Sequence, residues 1–455
     1  MLFLGLISLL AFYLAWNLGA NDVANSMGTS VGSKAVTLRQ ALVIAGVLEF
    51  TGAVLFGQGV SETLATDIVN PDLFAQAPQV LLLGMVSVLI SCGLWLQIAT
   101  AFGLPVSSSH AVVGALAGFG WAAIGPQAVD WASIRIISLT WIITPVISGS
   151  IAALFYSLVK RWILDQPNPI SQLREWIPWL SSALFGAFGI IVLPSLSQPL
   201  QALIAKHLGF VIPTHDLSIA GGAIAAMALT FNSWQQLERS AEFSVLSSEL
   251  SPAQNLNPSS QALQSPAQNS KLKTQKFSPI ERQMARFQLL SACFVAFAHG
   301  SNDVGNAVAP LAAIAYIHHT GSVPSTDFSV PLWILVLGGV GIVAGLAVWG
   351  KKVIATIGEG ITTLRPSGGF CAELATATTI LLASRFGLPV STSHALVGGV
   401  IGIGLVQSLQ SRNSPSSAIR FKTLQNIALA WLITIPIAAS LGASIFALAR
   451  LVWFQ

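Results

Sequence analysis

Long apolar runs alternate with short polar breaks along nearly the whole chain. A helix of about 20 residues spans the hydrocarbon core of a bilayer. Apolar windows of that order fall at 2–30, 41–60, 79–101, 104–123, 136–159, 176–195, 217–237, 286–312, 331–350, 368–386, 388–407 and 425–450. The pattern predicts an all-α polytopic membrane protein with about 12 transmembrane segments. The stretch 197–213 is apolar in part, but Lys206 and His207 make it a poor span. The first window has no basic residue ahead of it and runs straight into a polar motif, so it reads as a retained helix and not a cleaved leader. Residues 238–285 break the pattern. They are rich in Ser, Pro, Gln and Asn, with SPAQN at 251–255 and again at 265–269. That composition predicts a largely disordered cytoplasmic linker.

Composition narrows the class. Charged residues are 8% of the 455 and apolar residues 53%, with a mean hydropathy of +0.73. A chain so poor in charge cannot cover a water-facing surface, where about 25% charge is usual. The net charge of +4 does not imply nucleic acid, because the basic residues sit at segment ends. Cys92, Cys293 and Cys371 lie singly in apolar segments and show neither disulfide nor metal spacing.

The polar breaks repeat. GLPVSSSHAVVGALAGFG at 103–120 returns as GLPVSTSHALVGGVIGIG at 387–404, identical at 12 of 18 positions. GANDVAN at 19–25 returns as GSNDVGN at 300–306. Trp141 and Trp431, each shortly followed by a proline, extend the match. Residues 1–160 then form a first repeat of five spans, 161–237 two connecting spans, and 286–455 a second repeat. With the N-terminus outside, 17 of the 21 Lys and Arg residues fall in inside loops, as the positive-inside rule requires. Both termini come out extracytoplasmic. The Asn-Asp helices are then the first and eighth spans and run in opposite directions. Two inverted-topology repeats, with helices broken at the midplane, is the arrangement that permits alternating access.

Chemistry divides the repeated words. Asp22 and Asp303 are carboxylates at membrane depth with no Lys or Arg nearby in sequence. Such a group costs several kcal/mol, of the order of 3, unless it is paired, protonated or bound to a cation. Asn21, Asn25, Asn302 and Asn306 add amide oxygens within a turn, suited to Na⁺; a proton is the other economical answer. In the second word, Gly103-Leu-Pro105 and Gly387-Leu-Pro389 read as the first turn of a helix that starts inside the membrane. Ser107, Ser108 and Ser109, and Ser391, Thr392 and Ser393, would add hydroxyls to the free N–H groups there. That is an anion cradle without an arginine. His110 and His394 follow each cradle and suit either a contact to the anion or a fixed bond to a neighbouring helix. Glu49 and Glu373 lie within spans but do not align between the copies, and His299 has no counterpart at Leu18.

GANDVANSMGTSVGSKA, its partner AHGSNDVGNAVAPLAAI and the two GLPVS-[ST]-SH words resemble the duplicated signature of the inorganic phosphate transporter (PiT) family. The resemblance covers 1–237 and 286–455. It implies a Na⁺- or H⁺-coupled symporter of inorganic phosphate in the plasma (inner) membrane, a homodimer, no cofactor beyond the coupling ion, and no enzymatic activity. Carried over by position, Asp22, Asn25, Asp303 and Asn306 would serve the cation. Asn21, Asn302, Ser107, Ser108, Ser109, Ser391, Thr392 and Ser393 would serve phosphate. A sulfate or other oxyanion permease is the nearest alternative, since both anions are tetrahedral. An intramembrane Ser/His hydrolase and a passive anion channel are weaker ones. A hydrolase needs no second inverted copy, and a channel does not need the carboxylates.

Overall fold

The computed structural model describes residues 2–194, 206, 214–249, 278–325, 328–357, 364–410 and 420–453. Among these are thirteen α-helices: α1 (Leu2–Gly32), α2 (Leu38–Phe56), α3 (Gln58–Thr66), α4 (Pro78–Ala101), α5 (Ser108–Ala123), α6 (Trp131–Val159), α7 (Pro169–Ile191), α8 (Thr214–Glu249), α9 (Pro279–Thr320), α10 (Leu332–Ile357), α11 (Pro366–Arg385), α12 (Thr392–Gln410) and α13 (Phe421–Trp453). The described β-structure is a single bridge, Val69 to Val129. Each apolar window falls on a helix, and α3 is additional. Eight described helices are long and apolar enough to cross a membrane. Large apolar side chains such as Ile142 and Val146 on α6 and Leu432 on α13 point outward, as they do where the surrounding solvent is lipid.

Four boundaries differ from expectation. Helices α5 and α12 begin at Ser108 and Thr392, so Pro105 and Pro389 precede the helix instead of occupying its first turn. The reason is capping: the Ser107 and Ser391 hydroxyls accept the backbone N–H of His110 and His394, at 3.3 Å each, which fixes the helix start three residues past the proline. The break before each helix is a glycine in the left-handed region, Gly103 at φ 64° and Gly387 at φ 66°, where a side chain would be strained. Finally, the outer parts of the stretch expected to be disordered, 238–249 and 279–285, are helical. Residues 250–277 lie outside the described residues, as does most of 197–213.

Residues Met1–Val159 and Ala285–Gln455 make one compact unit, and Lys160–Met284 a second. The second is built on α7 against α8. Gly189 lets the Gly222 backbone approach, and the Trp234 indole donates to the Arg174 carbonyl at 2.8 Å. The Arg174–Glu238 ion pair beside it, 2.7 Å long, is more than half exposed on both sides and adds little stability.

The first unit contains both copies of the repeated words, and its pairings recur with partners exchanged. Helix α1 packs on α10, α5 on α13, and α12 on α6. A Cβ on Gly19 of α1 would strike the Ile342 carbonyl of α10, and one on Gly300 of α9 would strike the Glu49 carbonyl of α2. Gly114 and Gly118 of α5 abut Ile435 and Ala439 of α13, while Gly398 and Gly402 of α12 abut Pro145 and Gly149 of α6. Such small-residue seams bring backbones together, as membrane helices require when no hydrophobic effect drives their association. Direction can be read from the same contacts. Phe12, Trp16 and Val23 of α1 meet Gly341, Gly345 and Gly350 of α10 in ascending order, and Gly52 and Gly57 meet Phe297 and Val304 of α9 in ascending order.

Candidate functional site

The middle of α1 supplies Asn21, Asp22 and Asn25, and the middle of α9 supplies Asn302, Asp303 and Asn306. All six are at most 4% exposed. The hydroxyls of Ser107, Ser108, Ser109, Ser391, Thr392 and Ser393 are equally buried. One cluster contains them, built by two short words that arrive from opposite ends of the sequence.

Each asparagine word reaches across to the hydroxyl turn of the other copy. Asn25 donates to the Asp22 carboxylate at 3.2 Å and to Thr392 Oγ1 on α12 at 3.4 Å. Asn306 donates to Asp303 at 3.3 Å and to Ser108 and Ser109 on α5, also at 3.3 Å. Thr392 in turn donates to Asp303 Oδ2 at 3.0 Å. Ser109 donates to the Val390 carbonyl at 3.0 Å, which ties the two turns directly together. Ser391 and Ser393 share a hydrogen bond of 3.0 Å. Asn21 and Asn302 do something different. Their amide nitrogens hold the loops that precede the turns: Asn21 donates to Thr100 and the Leu104 carbonyl, and Asn302 to Ser384 and the Leu388 carbonyl. The oxygen of Asn302 is left buried without a donor.

The sequence argues against His299 and leaves the roles of Glu49 and Glu373 open; the structure draws all three in. His299 lies between two carboxylates, its Nδ1 3.3 Å from Glu49 and its Nε2 2.9 Å from Asp303. Glu49 also accepts from Ser26 at 2.7 Å. One potential ligand atom from each of Asp22, His299 and Asp303 lies within 4.8 Å of the others. The absence of a match at Leu18 argued against His299; the useful signal was its spacing of four from Asp303, one turn of helix. Glu373 forms a second polar centre. It accepts from Thr29 and Ser30 on α1 at 2.6 Å each, and from Gln288 at 3.1 Å and Ser291 at 2.8 Å on α9.

The charge balance of the first cluster is one-sided. Asp22, Asp303 and Glu49 are buried together, and none of the hydrogen-bond or ion-pair partners given above is a Lys or Arg. Asp22 Oδ2 and the amide oxygens of Asn302 and Asn306 are buried with no donor. Oxygens in that condition are costly. A hard monovalent cation relieves the cost directly, since it prefers oxygen ligands and brings the missing positive charge. On α5 and α12, the first-turn N–H groups and hydroxyls present the opposite chemistry, a surface of donors fit for an oxyanion. An open cavity of about 710 Å³ leads up to Phe386 and Gly387 beside the α12 turn, with Glu62, Asp67, Asp72 and Asp130 on its walls.

The chain is similar to known proteins along nearly its whole length. Residues 18–442 match the model of the phosphate transporter family. The chain is 39% identical to inorganic phosphate transporter 2-1, chloroplastic, of Arabidopsis thaliana, over 95% of this chain and 70% of that protein. The solved structure of the sodium-dependent phosphate transporter superposes with a TM-score of 0.81 at 35% identity, covering 99% of this chain and 100% of that one. With similarity of that extent across both halves, the chain belongs to the phosphate transporter family, as a multi-pass membrane carrier of phosphate and not an enzyme.

Proposed function

We propose that this protein is a cation-coupled symporter that moves inorganic phosphate by alternating access between two inverted repeats. The observation that carries the coupling is the buried set of carboxylate and amide oxygens at Asp22, Asn302 and Asn306 that lack donors, in a cluster whose hydrogen-bond and ion-pair partners among the described residues, as given above, include no Lys or Arg. Asp22, Asn25, Asp303 and Asn306 serve the cation. Na⁺ is favoured over a proton, because the similar solved structure is of a sodium-dependent transporter. Phosphate sits on the hydroxyls of Ser107 to Ser109 and Ser391 to Ser393, with Asn21 and Asn302 shaping the loops beneath. Opposite helix directions support the inverted repeat. Helix α2 follows α1 after a short turn and returns antiparallel to it, yet it runs parallel to α9; α1 and α9, the two copies of one word, therefore oppose each other. Twelve spans follow from the apolar windows, both termini extracytoplasmic from the distribution of Lys and Arg, and residence in the plasma membrane from family resemblance. The homodimer remains an implication of family resemblance.

Uptake by proteoliposomes tests the reading. Phosphate is expected to accumulate under an inward Na⁺ gradient and not under a pH gradient alone, with sulfate excluded. Accumulation driven only by the pH gradient would reassign the coupling ion, and equal uptake of sulfate would broaden the substrate. Within that assay, Ser107→Ala and Ser391→Ala are each expected to raise the half-saturating phosphate concentration about tenfold, the loss of one charge-assisted hydrogen bond. Unchanged values for both would remove the hydroxyl turns from the anion site.

A further inference from the structure

The two histidines that follow the hydroxyl turns are placed by a crossed arrangement. His394 Nδ1 lies 2.9 Å from the Trp141 carbonyl on α6, and His110 Nδ1 lies 3.3 Å from the Trp431 carbonyl on α13. A carbonyl only accepts, so each contact puts the ring hydrogen on Nδ1 and leaves Nε2 as an acceptor. Both Nε2 atoms are buried without a partner. Each ring also packs on the tryptophan whose carbonyl the other takes: His110 on Trp141 at 3.9 Å and His394 on Trp431 at 3.7 Å between centroids.

The two halves are not equal, and the difference is written in the sequence. Pro145 lies four residues after Trp141, at the position whose N–H would otherwise bond the Trp141 carbonyl. Proline has none, so that carbonyl is free for His394. On α13 the proline comes one residue later, at Pro436, and Ile435 keeps the N–H that faces the Trp431 carbonyl. The His110 contact is the longer of the two. The indoles differ in the same sense. Trp141 Nε1 donates to the Pro389 carbonyl at 3.2 Å, while Trp431 Nε1 is buried with no partner. Trp141 thus grips the α12 turn on both sides, at Pro389 and at His394. To its own tryptophan, Trp431, the α5 turn has only the longer His110 contact. Because the proline offset is covalent, an exchange of conformations between the repeats does not level it.

We propose that His394 is a positioning residue that anchors the phosphate-binding turn of α12 on Trp141, and that His110 holds the α5 turn less firmly. Glycine seams continue both contacts along the helices, Gly398 on Pro145 and Gly402 on Gly149 for the first, Gly114 on Ile435 and Gly118 on Ala439 for the second. The four rings therefore join two closely packed helix pairs at the level of the hydroxyls. Helix α12 carries the fixed wall of the site and α5 the yielding one. This inference rests on the symport reading above.

The test compares the purified full-length protein with His394→Ala, His394→Asn, His394→Gln and His110→Ala in proteoliposomes. Asparagine places a donor where Nδ1 stands, and glutamine places one where Nε2 stands. His394→Ala is expected to raise half-saturating phosphate about tenfold, as for one buried acceptor left unpaired. His394→Asn should restore most of that, His394→Gln should not, and His110→Ala should cost about threefold or less. Rescue by glutamine and not asparagine would put Nε2 on the anion and overturn the anchor, and so would equal losses at the two histidines. Hydrogen exchange over residues 388–396 separates this from failure of the symport reading. Exchange should be faster in His394→Gln than in His394→Asn, whether or not the protein transports. Equal exchange in those two variants refutes the anchor; wild-type liposomes that accumulate no phosphate refute the symport.

Discussion

Asp303→Asn abolishes concentrative phosphate uptake: the expected residual rate is about 1% or less of wild type, a loss of at least 2.7 kcal/mol. The carboxylate is a hub. Thr392 on α12 donates to it at 3.0 Å, Asn306 at 3.3 Å, and His299 stands 2.9 Å away. Asparagine keeps the shape and one acceptor oxygen but removes the negative charge that would hold a cation. It also brings an amide N–H₂ against Thr392 and His299, where acceptors are needed. Asp22→Asn is expected to do the same for uptake, because Asp22 Oδ2 is one of the buried oxygens without a donor. Uptake driven by a cation gradient, compared with phosphate exchange at equal concentrations, checks the assignment. Wild-type accumulation by both variants would break the link between these carboxylates and coupling.

Glu373→Ala has the second large effect, on stability. Thr29, Ser30, Gln288 and Ser291 all donate to this one side chain, and Gln288 is held in turn by Ser33 at 2.7 Å. Removing the acceptor leaves four buried donors from α1 and α9 facing a void. At about 1–3 kcal/mol for each unsatisfied group, and with some of them finding new partners, the expected cost is about 3 kcal/mol or more. Glu373→Gln keeps the volume and one acceptor oxygen and is expected to recover about half. Thermal unfolding of the detergent-solubilised protein is the measurement. Equal melting temperatures for wild type and Glu373→Ala would show that this knot does not hold α1, α9 and α11 together.

Whether a residue's role is legible in the sequence depends on where its partners come from. The GLPVS and Asn-Asp words were legible because each is local and occurs twice, and all twelve of their candidate residues converge on one buried cluster. Helix starts were misplaced by a few residues because hydropathy cannot see a glycine turned to φ 64° or a serine closing a cap. Glu373 is visible as an intramembrane acid suited to a proton, a cation or a Ser or Thr partner, but its partners Thr29 and Ser30 are not identifiable, being more than three hundred positions away. His299 was discounted by a symmetry argument that fails for a physical reason. A duplicated scaffold can carry a feature in one copy only, and Glu49, which faces His299, has no equivalent either. The crossed reach of Asn25 to Thr392 and Asn306 to Ser108 was not readable, because nothing in a repeated word says whether it packs on its own copy or the other.

A cluster that meets an anion with hydroxyls and amides, and never with a guanidinium or ammonium, has a kinetic consequence. Phosphate arriving first would face the carboxylates of Asp22 and Asp303, beside which His299 is the one group described above that could carry a positive charge. Under the symport proposed above, the cation lends affinity for phosphate, and by linkage each ion raises the affinity for the other by the same factor. In that scheme phosphate alone is poorly retained. Protection against leak is then a property of the ligand chemistry itself, present before any gate has moved.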